Sequence, residues 1–203
     1  MGGFTLMEIM VVVIIIGIMI AVATLSTSLL GRDRESEEQA RRLWAVLRQA
    51  REESELQSLD TGLFFSATGY EFMRYDTRRS LWVLIENDKL FATRELPEGL
   101  RFRAWIDSRE VILKPVPVDR SDTGEDKKNP PQVMVLSSGD VMPFEVRIER
   151  EGGEALWRVL ALPDNDLRVE RRSFENNLPG QWGVVAQTKP IEEDERVVRA
   201  SAK

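Results

Sequence analysis

Glu8 is the first side chain able to do chemistry, and its setting is unusual. It is the only charged residue between Met1 and Gly31. Directly after it, Ile9 to Leu30 form 22 residues without a charge, IMVVVIIIGIMIAVATLSTSLL. A charged side chain such as Asp costs about 2.5–3.5 kcal/mol at the centre of a membrane helix, and less towards its end. An ionisable group placed there is a functional candidate whose partner has to be named. An interfacial position, or a favourable acid in the first turn of a helix, accounts for Glu8 equally well on these grounds. The chemistry open to it is electrostatic: pairing with a cation in an apolar layer.

The remaining constellations are poorer. Cysteine and histidine are both absent, which removes disulfides, Cys-bound zinc, the Cys nucleophile and the commonest general base. Asp119, Asp122, Glu125 and Asp126 are hard-cation ligand types, but without EF-hand spacing they read as a solvated loop. Glu192-Glu193-Asp194-Glu195 reads as a solvated run. Ser137-Ser138-Gly139 is no nucleophile elbow, since Gly-x-Ser-x-Gly is missing. No catalytic residue, cofactor or metal is therefore expected. A balance of 28 basic to 34 acidic residues, net charge −6, argues against a nucleic-acid partner.

The elements that position Glu8 follow from how unevenly the apolar residues fall. The overall 42% hydrophobic content is ordinary, yet every basic residue and the other 33 acids follow Gly31. An uncharged run of 22 residues matches the roughly 20 needed to span a bilayer. It is apolar on all faces, too much for one domain of this size to bury as a core helix. A cleaved secretory signal has a basic start and an apolar core of about 7–15 residues, whereas Met-Gly-Gly carries no charge and the run is longer. A plain anchor fits the length but leaves Glu8 unexplained. Residues 31–38 hold two basic and four acidic side chains, so no strong positive-inside signal keeps that end in the cytoplasm.

Beyond the run, Ala40, Leu43, Trp44, Leu47, Ala50 and Ser54 form one helical stripe, with Arg41, Arg42, Arg48, Arg51, Glu52 and Glu53 around it. No proline interrupts Phe4 to Leu59, which predicts one continuous helix, with Gly62 as a natural stop. A separate surface helix over the second half is the alternative. After Gly62 the spacing changes to short strands: Leu63–Phe65 and Tyr70–Tyr75 as a hairpin, then Leu81–Ile85, a weak Leu90–Ala92, Arg101–Ile106 after the turn Leu96–Leu100, and Val111–Leu113. The proline-rich 114–132 reads as a long exposed loop. Val133–Leu136 and Val141–Ile148 read as a further hairpin across Ser137–Asp140, followed by Leu156–Leu162 and Leu167–Val169. From Glu175 the chain turns polar, and Ile191–Lys203 reads as a solvated, disordered tail.

The string Gly3-Phe4-Thr5-Leu6-Met7-Glu8 before an apolar run resembles the prepilin N-terminus of the type IV pilin-like superfamily. The resemblance implies cleavage by a prepilin peptidase between Gly3 and Phe4, and N-methylation of Phe4. Glu8 then becomes an assembly residue that pairs with the cationic N-terminus of a neighbouring subunit and sets register. The leader departs from the family pattern in having no basic residue before Gly3. In the head, the closest resemblance is to the H-type minor pseudopilins of type II secretion. It rests on Thr61–Phe65, Gly69–Phe72, Trp82, Leu96–Leu100 and the string Pro131–Asp140 leading to Pro143–Val146. Taken alone, these head residues read as structural, with Gly139 in a tight turn and Phe144 in the core.

The expected fold class is α+β and pilin-like: a long N-terminal transmembrane and amphipathic α-helix on an antiparallel, two-sheet sandwich-like head. The division is a leader at 1–3, a membrane helix at 4–30, its amphipathic continuation at 31–60, a periplasmic head at 61–173 and an extension at 174–203. The resemblance implies a structural subunit, not an enzyme, near the tip of a pseudopilus that supports export of folded proteins across the outer membrane. It implies a single pass through the bacterial inner membrane with the head in the periplasm. The implied partners are other major and minor pseudopilins, the prepilin peptidase, the inner-membrane assembly platform and inner-membrane lipid. A minor pilin of a type IV pilus or competence system is one alternative. A membrane-anchored periplasmic enzyme or binding domain is another.

Overall fold

The computed structural model describes residues 6–85, 88–115, 130–175 and 178–189, without side-chain detail at 21–32, 174–175 and 178–179. Its first element, α1 (Leu6–Gln57), is one helix of 52 residues. At 1.5 Å per residue it is about 78 Å long. The two halves form one continuous rod, and the separate surface helix does not occur. The rod stops at Ser58, whose φ of 53° lies in the left-handed region, and Leu59 N donates back to Ser54 O. The chain thus turns four residues before Gly62.

The stripe read from the sequence is the buried face of α1. Ala40, Leu43, Leu47 and Ala50 are fully buried, and Ser54 lies beside them. Val46 joins the same face. Full burial of a leucine contributes about 1.5–3 kcal/mol, so this face alone fixes the helix to the head. Trp44 lies at the margin, and its indole nitrogen donates to Leu167 O at 3.0 Å.

Among the described residues eleven strands follow: β1 (Thr61–Ser66), β2 (Gly69–Asp76), β3 (Leu81–Leu84), β4 (Arg94–Glu95), β5 (Leu100–Ile106), β6 (Arg109–Val111), β7 (Val133–Val135), β8 (Phe144–Arg150), β9 (Trp157–Ala161), β10 (Leu167–Glu175) and β11 (Leu178–Gln187). They form two antiparallel sheets. One runs β3-β2-β1-β7, with β4 also on β2; the other runs β11-β10-β9-β8-β5-β6. In β5, Leu100, Phe102 and Ala104 face inward while Arg101 and Arg103 face solvent, the alternation of a sheet covered on one side. The shared core joins α1 to both sheets. Phe65 of β1 meets Phe102 of β5 edge-on at 5.6 Å and Phe144 of β8 at 5.9 Å.

Four expectations change. Leu90–Ala92 is a turn rather than a strand: Leu90 N donates to Asp88 Oδ1, and Phe91 drops into the core against Phe72. Val133–Leu136 and Val141–Ile148 do not form a hairpin of one sheet. A single bridge, Val135↔Val141, closes the turn, and β7 and β8 then belong to different sheets. Pro143 has no N–H with which to extend that ladder, so the chain crosses over there. The strand at Val111 ends before Ile112, which is 98% exposed. Finally, the segment expected to be a polar extension contains β11, which lengthens the six-stranded sheet. The loop residues 116–129 and the tail from 190 lie outside the described residues.

Candidate assembly interface

Every side chain from Leu6 to Ile20 is exposed, with Leu6 79% exposed and Ile18 59% exposed. Monomeric soluble proteins rarely expose apolar surface on this scale, which marks a membrane or protein contact. Glu8 lies on this surface, in the first turn of the helix. An acid there is favoured by the N-terminal end of the helix dipole. Gly3 and Phe4 lie outside the described residues. Among the described residues, no helix is long and apolar enough to cross a membrane.

Among the described side chains of α1 that follow Ile20, the first to meet the head are two acids inside a charged run. Asp33 Oδ1 accepts from the Trp157 indole at 2.6 Å, and its Oδ2 meets Arg171 at 2.7 Å. Glu35 meets Arg150 at 2.8 Å. These contacts tie residues 33 and 35 of α1 to β8, β9 and β10. Nothing in the local sequence of a charged run distinguishes Asp33 from its neighbours, since both partners lie more than a hundred residues away.

The head residues read as structural behave that way. A Cβ on Gly62 would collide with the Pro131 ring and crowd Trp82, so three separate pieces of the motif string are one packing contact. Gly139 has a φ of 84° and sits against the side chain of Glu55 on α1. Its carbonyl accepts from Asn165 Nδ2 at 2.9 Å, and Asn165 Oδ1 accepts from Val141 N. Asn165 carries a φ of 66°, which asparagine tolerates better than most residues. Gln132 replaces a strand residue: its side-chain amide accepts from Phe65 N at 2.7 Å and donates to Phe65 O at 3.0 Å.

One buried carboxylate also escaped the sequence. Asp166 is fully buried. Its Oδ1 accepts from Thr188 N, Thr188 Oγ1 and Lys189 N, and Oδ2 accepts from Arg168 Nε. Burial acts to raise its pKa, but the Lys189 amide, Arg168 and Thr188 outweigh it and hold the carboxyl below the ordinary range. This clasp ties the end of β11 to the start of β10. Among the described residues no group of three or more acids gathers to hold a metal ion. The acidic loop at 119–126 lies outside the described residues.

No family model matches the chain. It is 32% identical over 171 residues to type II secretion system protein H of Pseudomonas aeruginosa, covering 83% of this chain and 94% of that protein. It is 29% identical over 151 residues to type II secretion system protein H of Aeromonas hydrophila, covering 74% and 81%. Among solved structures it is similar to the minor pseudopilin EpsH from the type 2 secretion system of Vibrio cholerae. That likeness has 26% identity and a TM-score of 0.55, and covers 66% of this chain and 94% of that one.

Proposed function

The chain belongs to the type II secretion system protein H family of minor pseudopilins, and we propose that it works mechanically, as a subunit held in a pseudopilus by its N-terminal rod. The observation that carries this reading is the exposed apolar face from Leu6 to Ile20 with one carboxylate, Glu8, on it. A face of that kind is stable only when covered, either by lipid or by the rods of neighbouring subunits.

Before assembly, the uncharged run Ile9–Leu30 anchors the chain once in the inner membrane, with the head in the periplasm; its length supports this. Prepilin peptidase cuts between Gly3 and Phe4, and Phe4 is N-methylated. Gly3 leaves the scissile peptide open to close approach. Cleavage creates an ammonium on Phe4, which stays protonated after methylation. Glu8 of one subunit pairs with that cation on the next, so a shift of the rods would strand both charges. The inner-membrane assembly platform and the other major and minor pseudopilins are the partners, and the subunit sits near the tip. There it supports export of folded proteins across the outer membrane without chemistry of its own.

Intact-mass measurement of the membrane-extracted protein tests the processing. The expected mass lacks Met1–Gly3 and carries one added methyl group. A retained leader would overturn this reading. Replacing residues 4–30 by an unrelated membrane anchor should keep the head in the membrane fraction and abolish secretion; secretion at the wild-type level would instead favour an anchored head acting alone.

A further inference from the structure

Gly69 of β2 leaves no room for a Cβ, which would collide with Arg94 O. The missing side chain lets the short β4 lie hard against β2, in the register Gly69↔Glu95 and Tyr70↔Arg94. Directly opposed residues of an antiparallel pair project from the same face, with Cβ atoms about 4.5–5.5 Å apart. Tyr70 is 2% exposed, yet its hydroxyl has no hydrogen-bond partner, and neither has the buried Nε of Arg94. Arg94 Nη2 donates to Lys89 O at 2.8 Å. Buried donors without acceptors are costly and uncommon, and two on opposed residues call for an explanation. Burial pushes the Tyr70 pKa up, against Arg42 of α1 and Arg94, the two charges that act on it. Arg42 is exposed, and among the described residues neither arginine forms a salt bridge.

We propose that Tyr70, Arg94 and Arg42 form a notch between α1 and β4 that takes a carboxylate side chain of a neighbouring subunit. The chemistry selects that occupant. The three groups offer donors and two positive charges, whereas an ionised carboxylate offers acceptors alone. Nε and the remaining terminal N–H groups of Arg94 are donors for charge-assisted bonds, about twice as strong as neutral ones. β4 is joined to β2 over two residue pairs, so Arg94 can shift outwards to admit the carboxylate. This occupant rests on the pseudopilus reading above; the site itself rests on the two unpartnered groups.

Thermal unfolding of the full chain in detergent micelles is compared in sodium acetate and in sodium chloride, at pH 7 and equal ionic strength. Acetate should raise the midpoint by about 3 °C over chloride, through binding to the folded state alone. The difference should vanish in Arg42→Gln and in Arg94→Gln. Tyr70→Phe should lose much of it, yet melt in chloride as wild type does, because the hydroxyl it removes has no partner to lose. An equal acetate effect in wild type and both arginine variants would overturn the site. So would a fall of several degrees for Tyr70→Phe in chloride. The occupant is read from sheared pseudopili. Arg42→Glu should unfold in chloride as wild type does and be incorporated about tenfold less or worse. Incorporation of Arg42→Glu at the wild-type level would overturn the neighbouring-subunit occupant. Absence of wild type itself would overturn the pseudopilus reading and this occupant together, and the acetate melts, made without assembly, separate the two failures.

Discussion

The Trp157 indole donates to Asp33 Oδ1 at 2.6 Å across 124 residues of chain. Trp157 is only 2% exposed, so its N–H has little access to water if Asp33 is lost. A buried donor left without an acceptor costs about 1–3 kcal/mol. Asp33→Ala also removes the Arg171 pair. Hydrogen exchange at the α1 amides of residues 33–39 should therefore quicken about tenfold or more, while that of β8 and β9 stays unchanged. Asp33→Asn keeps an acceptor for Trp157 and should recover part of the protection. Unchanged exchange in Asp33→Ala would show that this contact does not hold α1 to the head at this point.

Gly139 shows why a motif residue can be fixed by contacts rather than chemistry. Its φ of 84° places it where a Cβ is strained, and that Cβ would collide with Glu55. The backbone term alone costs about 1–2 kcal/mol. Gly139→Ala should lower the midpoint of thermal unfolding by several degrees. Adding Glu55→Ala should restore part of the loss, since it clears the collision and leaves only the backbone strain. A double variant no more stable than Gly139→Ala would place the whole cost in the backbone.

How far the sequence could be read depends on how local each determinant is. The stripe from Ala40 to Ser54 was legible because helical spacing is a local property, and the same residues are buried. The β1–β2 hairpin was legible because its turn lies between two apolar runs. The crossover after Val141 was not, because a tight turn looks the same whether its strands share a sheet or separate. Pro143 was the available signal. β11 was missed because Gly180 and Gly183 interrupt its alternation, and its apolar residues include a bulge near Val185. Asp33 and Asp166 were illegible, since each takes its role from partners distant in sequence. Glu8 was the reverse case: its isolation in an apolar run singled it out directly.

The Asp166 clasp makes a prediction about acid. Its folded pKa is depressed, so folding is favoured by the ionised form. That contribution is complete above the unfolded value of about 3.9 and is lost as pH falls through the lower folded pKa. Thermal stability should drop on acidification below about pH 4. Asp166→Asn should lower stability at pH 7 by about 1.5–3 kcal/mol, the worth of a hydrogen bond to a charged group. It should also flatten the acid slope. Thermal melts from pH 7 to 3 decide this, and an unchanged slope in the variant would assign acid sensitivity to other carboxylates.

Glu8 gives the sharpest test of the assembly reading. Its exposed position in the first turn of α1 lies 25 residues before Asp33, the first described side chain after Ile20 that meets the head, which makes it dispensable to the head. Glu8→Ala should therefore leave the thermal unfolding of the head within about 0.5 kcal/mol of wild type, as for surface substitutions generally. In a packed array of rods the same change would strand the ammonium of a neighbouring Phe4, at a cost of several kcal/mol. Each 1.4 kcal/mol is a tenfold change in equilibrium, so incorporation into pseudopili should fall by at least one to two orders of magnitude. Glu8→Gln keeps the size and removes the charge, so it should fail alongside Glu8→Ala if pairing is what matters. Co-purification of each variant with the sheared pseudopilus measures incorporation. Wild-type incorporation of Glu8→Gln would mean that shape rather than charge sets the register.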